Sequence, residues 1–334
     1  MRAIIVISLS FVFLTQAFAV DEKMNYIETV KETILPFYQT SGEQISFQGS
    51  NNTQLSAIKF INPNAKETIV LLPGWSESYA KYLEVIYDLY QEGYSIYALD
   101  HRGQGFSKHL VESNSQISYV EKFDYYLNDL AIFMNTIVLK EVSEKPYLLA
   151  HSMGGAISLL YLKDHQDQFK AAVLCSPMLQ INTKPYPTVV ANGLIGVLKL
   201  LGKGKNYAPG KGDYNPDASF EKNILTHSKV RYQMSHMMNF IYPETIIGGP
   251  SVNWIFESVK ATKKLKKVGA ELKLPILMFQ ASADEIVKTK RQGKLCKRAA
   301  DCRIEVFEGA HHEILMEQDT HRDRAMSEIK SFFK

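Results

Sequence analysis

A strand-like apolar run, a turn carrying glycine or another small residue, then a helical pattern: this unit recurs along the chain and restricts the folds open to it. Residues 68–74 (TIVLLPG), 94–100 (YSIYALD), 146–151 (PYLLAH) and 171–176 (AAVLCS) are the first strand-like runs, and 274–280 (LPILMFQ) and 303–308 (RIEVFE) resume the series. Between them the helical spacing is explicit: Phe123, Leu127, Leu130, Met134 and Ile137 recur at intervals of three and four. A strand that is apolar throughout has no face to offer water, so both faces of its sheet need cover. The pattern therefore predicts an α/β fold, a mostly parallel sheet covered by helices on both faces.

The alternation stops after Pro177. From 182 to 270 there are helical and loop patterns without a comparable strand, and Lys plus Arg number 13 against 5 Asp plus Glu. The whole chain of 334 residues balances 38 against 35, a formal charge of +3. A segment this basic inside a near-neutral chain is a unit of its own. The expected organisation is a core of 20–181 and 271–334 interrupted by a helical cap insertion at 182–270. The near-neutral total argues against a nucleic-acid partner.

The first 19 residues read as a secretory signal. Arg2 supplies a positive start, residues 3–15 are apolar apart from two serines and the closing threonine, and Ala17 and Ala19 set small residues where a signal peptidase cuts. An N-terminal anchor is the other reading, though the apolar run is short for a bilayer, which needs about 20 residues. Cleavage predicts an exported protein, periplasmic or secreted. In an oxidising compartment Cys296 and Cys302 either bridge or stay as thiols, a bridge adding at most about 2–2.5 kcal/mol by loop closure. Cys175 lies inside a strand-like run.

Residues 148–155 (LLAHSMGG) carry the strongest chemical signal. A buried strand runs into Ser152 and at once into a helix that opens on two glycines. A serine becomes a useful nucleophile when a tight strand-to-helix turn exposes it beside a base, and small neighbours let strand and helix approach. The usual pattern is G-x-S-x-G; here Ala150 stands for the first glycine. The base must be an imidazole, and the imidazole needs a carboxylate to orient it and stabilise its charged form. Asp284 follows the strand ending near Gln280, and His311 and His312 follow the last strand, in the order serine, acid, histidine. Acyl transfer also needs oxyanion donors: the Met153 N–H at the helix start, and the Trp75 N–H in the loop after residues 68–74.

Two other motifs are incomplete. Residues 102–107 (RGQGFS) follow a strand, as a dinucleotide loop would, but position 108 is Lys where G-x-G-x-x-G needs glycine, so no nucleotide is expected. His312-Glu313 begins like H-E-x-x-H but position 316 is Met, and no other His or Cys cluster has metal-ligand spacing. No cofactor or metal is expected.

Five ordered segments then carry a family resemblance: 72–74 (LPG), 100–107 (DHRGQGFS), 151–155 (HSMGG), 282–284 (SAD) and 309–315 (GAHHEIL). Together the chain resembles α/β-hydrolases of the monoacylglycerol lipase and bacterial lysophospholipase group over about residues 45–330. The resemblance implies an α/β-hydrolase fold with Ser152 as nucleophile, Asp284 as acid and Trp75 and Met153 as oxyanion donors. It implies His312 as base, because the family's histidine lies two residues after a Gly-Ala pair, with His311 the variable neighbour. Ala150 for Gly and Pro73 where lipases often carry His are departures.

The implied activity is hydrolysis of single-chain lipid esters, a lysophospholipid or monoacylglycerol. Met234, Met237, Met238, Phe240 and Tyr242 suit an acyl groove and equally suit a cap's own core. Hydrolysis of other small esters or peptides is the alternative, and a silent hydrolase fold acting as a binding module a third. Lys260, Lys263, Lys264, Lys266 and Lys267, just after Trp254, Ile255 and Phe256, form either a solvated lysine-rich helix face or a basic face contacting anionic membrane.

Overall fold

The computed structural model describes residues 22–183 and 185–334, with side chains from Tyr26 onward; the expected signal segment 1–19 lies outside these residues. Eight strands form one sheet: β1 Gly42–Gln48, β2 Gln54–Phe60, β3 Glu67–Leu72, β4 Tyr94–Asp100, β5 Tyr147–His151, β6 Ala172–Cys175, β7 Ile276–Ala281 and β8 Cys302–Phe307. Their order is β1-β2-β4-β3-β5-β6-β7-β8. From β4 to β8 every pairing is parallel, whereas β1 and β2 join at the edge as an antiparallel pair. The parallel part follows the apolar runs read from the sequence. The edge pair was not anticipated, because β1 alternates half-buried and exposed residues and shows no continuous apolar run.

Side-chain alternation divides the central strands between two cores. Ile69 and Leu71, Ile96 and Ala98, Leu149, Val173 and Leu277 face one core; Val70, Leu72, Leu99, Leu148, Leu174 and Met278 face the other. Helices α1 Glu22–Thr29, α2 Leu35–Ser41 and α3 Leu83–Gln91 cover the first face. On the second lie α4 Asp124–Phe133 and α5 Ser152–His165. Each central strand buries both faces because both are occupied, which is why the sequence shows unbroken apolar runs there.

Among the described residues, the basic segment holds three α-helices: α6 Thr188–Leu200, α7 Lys229–Ile241 and α8 Val252–Val268. They are not equivalent. Trp254, Ala261, Leu265 and Val268 put α8 into the second core beside α4 and α5, so the last helix of the expected cap rests on the sheet side of the molecule. Met237 and Met238 of α7 join the first core, while Phe240 is exposed. Only α6 shows water a broad apolar surface, with Val189, Val190, Leu194, Val197 and Leu200 all exposed.

The expected membrane face on α8 keeps its exposed lysines but loses an apolar anchor. Trp254 is buried and packs against Trp75 with ring centroids 5.1 Å apart, so it offers no anchor. Lys264 pairs with Asp124 and Lys260 with Glu257. Towards the C-terminus, Cys296, which ends helix α9 Lys290–Cys296, is bonded to Cys302 at the start of β8. Cys175 is a buried free thiol. Helix α10 Asp319–Phe332 closes the chain against the first core through Ala325, Met326 and Ile329.

Candidate active site

Ser152 sits where β5 turns into α5 with no intervening residue. Its φ is +48°, in the left-handed region that side chains other than glycine rarely adopt. Such strain persists only where the surroundings hold it. They do so by close approach: a Cβ on Gly154 would lie 2.4 Å from the Leu72 carbonyl oxygen, and one on Gly155 2.8 Å from Pro177 Cβ. The extra methyl of Ala150 is absorbed inside β5, where the residue pairs with Leu72 and Leu174.

The three expected residues come together from beyond the ends of three strands, β5, β7 and β8. Ser152 Oγ lies 2.8 Å from His312 Nε2, and His312 Nδ1 lies 2.6 Å from Asp284 Oδ2. With Nδ1–H donating to the carboxylate, Nε2 is left to accept the serine proton. The Asp284 side chain is fully buried, and its Oδ1 accepts the Ile286 and Val287 N–H groups at 2.8 and 2.9 Å. Burial works to raise its pKa, but the bond from His312, the imidazole charge and the two N–H groups outweigh it and hold the carboxyl below its ordinary range. An ionised carboxylate is therefore ready to stabilise an imidazolium. His311 turns elsewhere, stacking on His227 with ring centroids 3.8 Å apart.

The Met153 N–H lies in the first turn of α5, where backbone donors have no partner within the helix. The loop carrying Trp75 is held on both sides of that residue. Gly74 N–H donates to Glu77 Oε2 at 2.6 Å, and Ser76 N–H to Gln104 Oε1 at 3.2 Å. The Trp75 indole N–H donates to Ser118 Oγ at 2.7 Å.

Two groups of supporting residues escaped the sequence reading. The first is the 100–107 loop, an incomplete nucleotide motif and one of the five family segments, whose structural role the sequence does not show. Gln104 Nε2 donates to the carbonyls of Gly74 and Glu77, and Asp100 accepts the N–H groups of Tyr79 and Phe106. That loop is a scaffold for the Trp75 loop.

The second is a buried charge network beneath the triad. Glu77 Oε2 accepts from Gly74 N–H and from the Tyr82 hydroxyl, and His151 Nδ1 lies 3.3 Å away. Lys81 joins Glu77 to Glu313 at 2.8 and 2.6 Å, and His151 Nε2 lies 3.3 Å from the His312 carbonyl oxygen. Burial alone would raise the Glu77 pKa, but the charges of Lys81 and His151 keep it well below the usual carboxylate range. For Lys81 burial would lower the pKa, and Glu313 and Glu77 push it up instead. His151 follows the same logic, burial opposing and Glu77 prevailing, so its pKa is raised. The network ties the Trp75 loop, the residue before Ser152 and the residue after His312 into one unit. Its only sequence signal was a glutamate three residues after Gly74 and a lysine four residues later.

Comparison with known proteins agrees with this arrangement. The family described as serine aminopeptidase, S33, matches residues 63–319. A probable lysophospholipase L2 of Haemophilus influenzae is 32% identical over 301 residues, covering 90% of this chain and 94% of that protein. Lysophospholipase L2 of Escherichia coli K12 is 32% identical over 299 residues, 87% of each chain. A soluble variant of monoglyceride lipase from Saccharomyces cerevisiae, solved with a substrate analogue, shares the fold with a TM-score of 0.68 at 19% identity, over 88% of this chain and 96% of that one. The sheet order, the strained serine between β5 and α5 and a match spanning most of the chain lead to one conclusion: this protein belongs to the S33 family of serine hydrolases, with the α/β-hydrolase fold.

Proposed function

We propose that the protein is a carboxylic-ester hydrolase of single-chain lipids, acting on lysophospholipids or monoacylglycerols through an acyl-enzyme on Ser152. The hydrogen-bonded chain from Ser152 through His312 to Asp284 carries the proposal. His312 Nε2 takes the hydroxyl proton as Oγ attacks the ester carbonyl, and Asp284 stabilises the imidazolium. The N–H groups of Met153 and Trp75 receive the oxyanion. His312 then protonates the departing glycerol oxygen, activates a water, and the water releases the fatty acid. The 32% identity to two proteins named lysophospholipase L2 or probable lysophospholipase L2 favours the lysophospholipid substrate.

A panel of lysophosphatidylethanolamine, monoacylglycerol, short p-nitrophenyl esters and aminopeptidase substrates, read as free fatty acid or released amine, tests the reading. Fastest release is expected from a long-chain lysophospholipid. Turnover confined to short esters or peptides would overturn it. Export after cleavage behind Ala19 belongs to the same proposal; N-terminal sequencing of the mature protein should then begin at Val20.

Contact with the lipid surface runs through α6. Its exposed Val189, Val190, Leu194 and Val197 form an apolar face, and the exposed Lys203 and Lys205 follow its C-terminal end, whereas Lys199 is paired with Glu257. Moving an aliphatic side chain out of water is worth about 1.5–3 kcal/mol when complete, and a lysine near an anionic surface adds about 1 kcal/mol. Changing the four apolar residues to Ser should cut binding to phosphatidylglycerol vesicles by at least about tenfold, since even partial burial of four side chains exceeds 1.4 kcal/mol. Hydrolysis of a short soluble ester should be unchanged. The lysine quartet Lys263, Lys264, Lys266 and Lys267 changed to Gln should produce a smaller, salt-dependent loss. Equal vesicle binding by the Ser variant and wild type would exclude α6 as the contact.

A further inference from the structure

His227, His311 and Glu317 meet although they come from separate parts of the chain. Their ligand-capable atoms all lie within 4.8 Å of one another. Glu317 is fully buried and well held, accepting the backbone N–H groups of His311, His227 and Gln318 at 2.9, 3.0 and 3.0 Å. His227 Nδ1 adds a contact of 2.8 Å to Glu317 Oε1. The exception is His311: its Nδ1 is buried and has no hydrogen-bond partner. A buried nitrogen left unpaired costs about 1–3 kcal/mol, and hydrogen bonding within the cluster does not account for it.

We propose that these three side chains form a binding site for a divalent transition-metal ion of the zinc, cobalt or nickel type. Two imidazoles and one carboxylate are a donor set such ions take, with bonds of about 2.0–2.2 Å and a further position left for water. Around a tetrahedral ion two such bonds hold their donors about 3.4 Å apart, so the widest pair in the cluster must close by up to about 1.4 Å. His227 can supply that movement, since its side chain is 42% exposed. On binding, His227 Nδ1 joins the ion in place of its contact with Glu317, with the ring proton on Nε2. His311 contributes Nδ1, the atom that otherwise lacks a partner.

The site would fasten two segments that matter to the triad. Residues 225–228 lead into α7 and are already joined to the base loop, through Glu313 N–H to the Leu225 carbonyl at 2.9 Å and Thr226 Oγ1 to the Met316 carbonyl at 2.7 Å. His311 immediately precedes His312. An ion here clamps the entrance of the cap segment to the loop that carries the base.

The test uses full-length mature protein without a histidine tag, stripped with chelator and titrated with ZnCl2 by calorimetry and with CoCl2 by visible absorption. Saturable binding of one ion per chain, a cobalt absorption band near 550–650 nm, and a rise in Tm on adding zinc are expected. His227→Ala, at an exposed position, and His311→Ala should each weaken binding by at least about tenfold and remove the zinc-dependent rise in Tm. In chelator His227→Ala should still unfold in one cooperative transition within a few degrees of wild type, which separates lost ligation from misfolding. No saturable binding by wild type, or equal affinity in wild type and His227→Ala, would overturn the proposal.

Discussion

Ser152→Ala is expected to lose ester hydrolysis by about 10⁴-fold or more while keeping the wild-type Tm within a few degrees, because the hydroxyl serves chemistry and little packing. Residual rate would come from the oxyanion donors and substrate binding alone. His312→Ala and Asp284→Asn should each lose at least about 10³-fold, and combining either with Ser152→Ala should add little, since the residues act as one unit. His311→Ala gives the internal contrast. Its ring stacks on His227, whereas the Nε2 that meets Ser152 Oγ belongs to His312. Its loss should therefore cost less than about tenfold in chelated buffer. A fluorophosphonate probe should label wild type at Ser152 and fail on Ser152→Ala. If His311→Ala were inactive and His312→Ala active, the base assignment would be wrong. Labelling at another serine would remove Ser152 as nucleophile.

The second large effect concerns Lys81. Its ammonium is the shared partner of Glu77 and Glu313, and all three side chains are at most 14% exposed. Removing one member of a buried ion pair leaves uncompensated charge and costs about 3–5 kcal/mol, far more than a surface pair. Lys81→Met keeps much of the volume and leaves two carboxylates facing one another. Urea unfolding should show a loss of about 3–5 kcal/mol, or activity falling with stability as the Gly74 N–H loses a well-placed Glu77. Adding Glu313→Gln to Lys81→Met should restore part of the loss, because one of the two unpaired charges is gone. A cost below about 1 kcal/mol would mean that water reaches these groups and that the network does not support the triad.

Sequence and structure divide the account of this protein along physical lines. Continuous apolar runs revealed the parallel strands, because a strand buried on both faces can carry no polar alternation. Ser152, Asp284 and His312 were legible because each stands just after such a run, and the fold places those loop ends together. Even the tight turn was written locally, in the small residues at 150, 154 and 155. The β1–β2 edge was not legible, since a half-exposed edge strand carries little apolar signal.

Three-dimensional contact alone decided the rest. Lysine spacing marked the exposed basic face of α8, but only the fold shows that its other side inserts Trp254 and Leu265 into the core and that the broad exposed apolar surface belongs to α6. The role of Gln104 depends on a loop about 30 residues away in the chain, and the Glu77–Lys81–Glu313 network spans more than 230 positions. His227, His311 and Glu317 escaped every spacing rule because their separation in sequence is unrelated to their separation in space. Spacing along a chain reports what a single strand or helix brings to one face. Groups gathered from several loops have no period, so only the folded backbone makes them neighbours.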